Sequence, residues 1–264
     1  MEAGTDAEDL VQEAYLRWHQ SDAGEVRSPE AWLVAVTTRM AIDRLRRAAV
    51  ERERYPGHWL PEPIATDPAS LPEQATEQGS DLSVAFLLLL ERLGPEERAA
   101  FLLREVFDTE YTEIARVLER SEPAVRQMVH RARTRLREGR ARYTPPPGAK
   151  ERLLERFVAA LRSDDRDGLL ALFADDAVLI GDGGGKAAAS PRPIVGADRI
   201  AHLMLTVYRK SAGRRTQRLA RLNGEPALVV EQDGRVVAAL SLETDGERIV
   251  ACYSVLNPDK LRRL

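Results

Sequence analysis

Two proline-rich breaks constrain this chain more than any other feature of its sequence. From Tyr55 to Leu82 the stretch YPGHWLPEPIATDPASLPEQATEQGSDL carries five prolines and five acids, with no lysine or arginine. Proline lacks the N–H that a helix interior or a central strand needs. So polar a stretch also offers too little apolar surface to order itself. The run TPPPGA at 144–149 is a second break, and consecutive prolines favour an extended polyproline path. The 264 residues are therefore expected to fold as separate segments, 1–54, 83–142 and 150–264, joined by linkers at 55–82 and 143–149. Trp59-Leu60-Pro61 is an apolar island in the first linker, and such an island in a polar tether is expected to dock on something.

Each segment has its own periodicity. In the first, Leu10, Val11, Ala14, Tyr15 and Trp18 share one helical face, with Asp6 as the expected N-cap. A second helix starts at Ser28, an N-cap followed by Pro29, and places Trp32, Leu33, Val36, Met40 and Leu45 at core spacing. Trp18 and Trp32 read as core residues. The segment 83–142 is helical again. The third changes class. Helices over 150–163 and 165–173 lead to a strand at 177–181 and a helix at 196–210. Three β-rich runs follow, at 227–232, 235–243 and 248–256, punctuated by Asp-Gly turns, a strong hairpin signal. The expected fold class is multidomain: two all-α domains, then an α+β domain whose sheet is antiparallel.

Composition closes several routes. One cysteine, Cys252, rules out a disulfide framework and is expected to be a buried apolar group. The four histidines are far apart in sequence and form no metal-spaced pair, so neither a metal nor a cofactor is expected. The longest apolar run, Val84 to Leu90, is too short to cross a bilayer. The acidic start MEAGTDAEDL is no signal peptide. The expectation is a cytoplasmic chain with no membrane partner.

The strongest chemical signal is Tyr111–Arg137. Ile114, Ala115, Val117 and Leu118 mark one helix. The turn ERSE follows without the usual glycine, and Ser121 is placed to cap a second helix with Val125, Val129 and Leu136 on its inner side. This is a helix-turn-helix layout, whose second helix enters the major groove of DNA. Between Arg120 and Arg142 there are eight arginines against two glutamates. Arg126, Gln127, His130 and Arg131 lie where base edges are read, since arginine pairs with guanine and glutamine with adenine. Arg133, Arg135 and Arg137 are placed for phosphates, which position without specifying. A second basic cluster, Arg39, Arg44, Arg46, Arg47, Arg52 and Arg54, ends the Ser28 helix. It reads equally as a DNA contact and as a solvated helix end that suits the macrodipole.

LIGDGGGKA, at 179–187, suggests a phosphate cradle and does not meet its requirements. Gly181 stands one residue too close to Gly185-Lys186 for a P-loop, and alanines follow where the magnesium-binding hydroxyl belongs.

Two helical modules with basic faces, joined by an acidic tether, resemble a bacterial sigma factor of the extracytoplasmic-function (ECF) group. DAEDLVQEAYLR is similar to the region 2 helix that docks on core RNA polymerase, which implies that Asp9, Gln12 and Glu13 face the polymerase. WLVAVTTRMAIDRLRR is similar to the helix that opens the −10 element, implying that role for Arg39, Arg44, Arg46 and Arg47. Residues 93–137 resemble region 4, which binds the −35 element and implies DNA contacts for Arg126, Gln127, His130, Arg131, Arg133 and Arg135. Family members carry a further helix ahead of the DAEDL motif, so part of the region 2 bundle is expected to be missing. The remainder resembles the SnoaL-like domain, of the nuclear-transport-factor-2-like fold, that one ECF class carries at its C-terminus. Its recurring motifs are Trp59-Leu60-Pro61, Asp182-Gly183-Gly184-Gly185-Lys186 and Asn257-Pro258-Asp259-Lys260-Leu261. The resemblance makes these an intramolecular docking set. It implies a fused regulator in place of a separate anti-sigma protein, with core RNA polymerase and promoter DNA as partners. Its pocket can take a small-molecule ligand or, as a rival reading, be a cyclase- or isomerase-type active site using Asp182, His202 and Tyr208.

Overall fold

The structure is a computed structural model that describes residues 3–21, 26, 28–66, 83–139, 146–211 and 213–264. The chain divides into two compact units. One joins Met1–Arg54 with Leu89–Arg140, and the other joins Tyr55–Leu88 with Ala141–Leu264.

The first unit is helical. Helix α1 runs Ala3–Gln20 and α2 runs Pro29–Glu53. The Ser28 side chain accepts the Ala31 N–H at 3.3 Å, and Pro29 occupies the first helical position. Asp6, expected as the cap of α1, lies inside the helix, which begins at Ala3. The expected apolar face of α1 is only partly covered. Ala14 is buried, and Trp18 meets Trp32 edge-on at 5.2 Å, but Val11 and Tyr15 are exposed. Helix α3 (Val84–Leu90) contains the unit boundary. Helices α4 (Pro95–Glu105), α5 (Tyr111–Leu118) and α6 (Glu122–Gly139) complete this unit. Ala100, Leu103, Ile114, Ala115, Val125 and Val129 form the core of the last three, and Val34 of α2 packs against it.

The turn between α5 and α6 explains the missing glycine. Glu119 itself takes the left-handed conformation, φ 54° and ψ 45°, and its N–H closes on the Ala115 carbonyl. A side chain in that region costs about 1 kcal/mol relative to glycine. Ser121 precedes α6, where its carbonyl accepts the Val125 N–H.

The second unit holds α7 (Ala149–Arg162), α8 (Arg166–Leu172), α9 (Ala197–Ser211) and one sheet. Its strands are β1 (Phe173–Asp182), β2 (Ile194–Val195), β3 (Arg215–Leu222), β4 (Glu225–Gln232), β5 (Arg235–Thr244) and β6 (Ile249–Val255), in the order β2-β1-β6-β5-β4-β3. The sheet is not wholly antiparallel, as the sequence suggested: β1 pairs in parallel with β6. Between β1 and its neighbour β6 the chain runs through β2, α9 and the antiparallel strands β3, β4 and β5, and this long crossover brings it back in the same direction. β3 was not anticipated. Its exposed arginines mask the alternation, yet Asn223 and Gly224 form a tight turn with positive φ at both residues, as do Asp233 and Gly234. One face of the sheet is covered by the helices, around Phe157, Phe173, Leu169 and Ile200.

The other face is covered by the first half of the acidic linker. Residues 60–63 are buried, and Leu60, 1% exposed, joins Leu222, Val229, Val255 and Leu261 in a second core. The expectation of a linker that buries little thus fails at residues 60–63, because the sheet supplies the apolar partner that the segment lacks by itself. The polyproline expectation at 144–149 is not met where it can be read: the Pro146 carbonyl accepts the Ala149 N–H at 3.0 Å in a turn through Gly148, φ 73°, that opens α7, while Thr144 and Pro145 lie outside the described residues. So do the basic positions Arg140 and Arg142.

Candidate nucleic-acid interface and linker anchor

The geometry of α6 sorts its basic residues. Val125, Val129, Ala132 and Leu136 are buried, so the 3.6-residue period turns Arg126, Gln127, His130 and Arg131 to solvent together. Arg126 lies over the Tyr111 ring at 4.3 Å and pairs with Glu122 at 2.6 Å, which fixes its approach. Arg133 and Arg135 are anchored to α4 instead. Arg133 pairs with Glu105 and Arg135 with Glu97, both at 2.6 Å. Glu97 also draws Arg131, at 3.5 Å. The hydrogen bond that Arg133 donates to Glu105 holds its guanidinium above its ordinary pKa.

The second cluster divides in the same way. Arg39 donates to Glu119 at 2.8 Å and to the Val117 carbonyl at 3.3 Å. Arg46 reaches Glu96 at 2.9 Å, and Arg120 meets the same carboxylate at 3.0 Å. Two of the expected −10 residues therefore lie against α4–α6. Arg44 pairs with Asp9 at 3.5 Å, and Arg47 is exposed. Arg52 pairs with Glu91, which also holds Arg98 at 2.7 Å. Burial lowers the pKa of both guanidiniums, and Arg98 adds repulsion at Arg52. Asp9, Gln12 and Glu13 are exposed on α1, with Glu13 held by Arg17 at 2.6 Å.

Residues from all three expected docking motifs meet around one buried carboxylate. Asp182, fully buried at the end of β1, receives the Tyr55 hydroxyl at 2.6 Å, the Leu60 N–H at 2.9 Å and the Lys260 ammonium at 2.7 Å. Lys260 is itself buried. It donates to the Leu60 carbonyl at 2.5 Å and lies 4.4 Å from the Trp59 ring centroid and 4.9 Å from that of Tyr55. A charge in such a place is tolerable only when paired and hydrogen-bonded. Burial and the hydrogen bond to Asp182 push the Tyr55 hydroxyl well above its ordinary pKa. Asn257 donates to the Tyr55 oxygen at 2.7 Å, and its own side chain caps the 3₁₀ turn Pro258–Leu261. Lys186 pairs with Asp259, and that hydrogen bond holds Asp259 below the usual carboxylate range.

The glycines are required by close approach. A Cβ on Gly184 would sit 2.2 Å from the Asn257 amide and 2.9 Å from the Tyr55 hydroxyl, and one on Gly185 would sit 2.9 Å from Pro56. Both also have positive φ, 57° and 70°. The linker continues along the sheet edge. Ala65 bridges Leu222, and Asn223 exchanges hydrogen bonds with Ile64. Tyr55 and Asn223 were absent from the sequence reading. The signals were an aromatic two places ahead of Gly57 and an Asn-Gly turn.

The rival catalytic set does not assemble. Asp182 is enclosed by its three donors, His202 is exposed on α9, and Tyr208 packs into the helical core. None of the three lines the cavity of about 790 Å³ that opens between α9 and the sheet. Among the described residues no cluster of three metal-ligating side chains occurs, and no helix is long and apolar enough to cross a membrane.

Comparison with known proteins bears on both units. Residues 1–50 match the family described as Sigma-70 region 2, and residues 83–136 that described as Sigma-70, region 4. The chain is 37% identical to the ECF RNA polymerase sigma factor SigJ of Mycobacterium tuberculosis, over 97% of this chain and 85% of that protein. It is 29% identical to the probable ECF RNA polymerase sigma factor SigI of the same species, over 97% of this chain and 86% of that protein. The crystal structure of SigJ aligns with a TM-score of 0.75 at 33% identity, covering 97% of this chain and 89% of that one.

Proposed function

This chain belongs to the ECF RNA polymerase sigma factors and directs core RNA polymerase to promoters; from that premise we propose that its C-terminal α+β domain regulates it from within, by gripping the linker between regions 2 and 4. The observation that carries this reading is the buried Asp182–Lys260 pair closed over Tyr55, Trp59 and Leu60. A domain merely tethered to a sigma factor has no use for a buried ion pair aimed at the sigma linker. The grip makes a separate anti-sigma protein unnecessary.

In this reading Arg126, Gln127, His130 and Arg131 read the −35 element from the exposed face of α6, while Arg133 and Arg135 meet phosphates. Arg39, Arg44, Arg46 and Arg47 serve the −10 element, and Asp9, Gln12 and Glu13 face the polymerase. Arg39 and Arg46 cannot hold Glu119 and Glu96 while they engage DNA. Promoter binding therefore parts α2 from α4 and α5. Those ion pairs are solvent-exposed and each is worth only about 0.2–1 kcal/mol, so the closed arrangement yields readily to polymerase and DNA.

The test is promoter-specific transcription in vitro with core RNA polymerase, comparing the natural chain with Lys186→Ala and Lys260→Met. The expected result is altered promoter output from variants that remain folded. Equal output from all three would overturn the regulatory reading and leave the sigma activity standing.

A further inference from the structure

The cavity between α9 and the sheet has a composition of its own. Its walls are apolar, with Leu203, Met204 and Val207 from α9 facing Leu179, Val236 and Leu256. At about 790 Å³ it falls within the range of small-molecule sites, roughly 300–1,000 Å³. Its polar lining is one-sided. Lys186, Arg215 and Arg235 contribute three cations, and no carboxylate is among the described lining residues. Arg215 is steadied by Gln232, whose side-chain oxygen accepts its Nε–H at 2.9 Å. Arg215 and Arg235 share one face of the sheet, on the strands either side of Gln232 and so about 10 Å apart at the backbone. Two guanidiniums that line one apolar chamber, with no carboxylate in its described lining, gain from an anion held between them.

We propose that this cavity binds an amphipathic anion, with its acid group on Arg215 and Arg235 and its apolar body along Leu203, Met204 and Val207. The shape and charge fit a carboxylate with an aliphatic chain. The far wall includes Lys186, Pro258 and Leu261, which also belong to the linker anchor, so an occupant touches the residues that hold the linker. The inference stands on the cavity alone and does not depend on the regulatory reading.

The experiment is calorimetric titration of the full chain with decanoate, decanol and decylamine, each below its aggregation limit. Decanoate is expected to bind at least about tenfold more tightly than decanol, the gain of one charge-assisted hydrogen bond. Decylamine is expected not to bind. Replacing both arginines with alanine should bring decanoate down to the level of decanol, and Met204→Trp should weaken both by filling the chamber. Arg235→Ala alone, at an exposed position, serves if the double variant fails to fold. Equal affinity for acid and alcohol, absence of saturable decanoate binding, or binding that survives Met204→Trp would each overturn the proposal.

Discussion

Replacing Lys260 with methionine should release the linker. The side chain is 95% buried and the Asp182 carboxylate wholly so, and the two meet at 2.7 Å. Removing one partner of such a pair strands the other, at a cost of about 3–5 kcal/mol. The lower end applies here, because Asp182 keeps two donors, the Tyr55 hydroxyl and the Leu60 N–H. A loss of about 3 kcal/mol corresponds to somewhat more than a hundredfold in the docking equilibrium. The direct assay is hydrogen exchange at the Leu60 amide, whose acceptor is Asp182 itself. Its protection should fall about a hundredfold in Lys260→Met. Asp182→Asn should have a comparable effect, since it leaves an ammonium facing two rings and one carbonyl. The double variant should be less destabilised than the sum of the single ones, by up to about 3 kcal/mol, because each replacement removes the charge that the other strands. Unchanged protection in Lys260→Met, or strict additivity, would refute the claim that the pair closes the anchor.

Gly184→Ala should destabilise the second unit by about 1–3 kcal/mol in urea titration, through collision with Asn257 and Tyr55 and a positive φ. Gly57→Ala, also at positive φ but with open space around it, should cost less. Arg126→Ala should weaken promoter binding by about 1–3 kcal/mol and relax preference within the −35 element in a gel-shift series, whereas Arg133→Ala should weaken all sequences alike and reduce the salt slope by about 0.9. Asp259 has a folded pKa below its unfolded one, so the stability from Lys186 is fully present above the ordinary carboxylate pKa and is lost as pH falls through the folded value. Lys186→Ala should therefore destabilise at neutral pH and become silent in strong acid. Burial pushes the Cys252 thiol well above its ordinary range, so it should resist thiol reagents until the chain unfolds.

Much of this was legible from residue order. The helix-turn-helix was readable because Ile114, Ala115, Val117 and Leu118 mark one helix and Val125, Val129 and Leu136 the inner side of the next, and α2 was readable because Ser28-Pro29 announces a helix start. The docking motifs were readable only through resemblance, since no local rule links Asp182 to a lysine 78 residues away. Periodicity also could not say what covers an apolar face. Val11 and Tyr15 share the spacing of Ala14 yet are exposed, because an amphipathic pattern records only that a face is apolar. The parallel pairing of β1 with β6 was hidden because strand direction is set by the path of the intervening chain. β3 was hidden because an edge strand carries charge on purpose, and Arg215, Arg218 and Arg221 blunt a pattern that would otherwise invite pairing with another chain.

The docked linker also shortens a tether. Of the 28 residues from 55 to 82, the first dozen lie on the sheet. A flexible chain of the full length would span roughly 29 Å on average, and one of the remaining length roughly 22 Å. The effective concentration of region 4 near region 2 changes between these by only about twofold, since it scales with the −3/2 power of length. Entropy is thus a weak lever here. The extensible length changes far more, from about 98 Å to about 56 Å when fully extended, to which the docked part adds only its own fixed span. Two promoter elements about two helical turns apart are separated by roughly 70 Å. On the proposed regulatory reading, the grip on Tyr55 and Leu60 would then work less as a spring than as a stop, limiting which spacings between elements the two regions bridge at once.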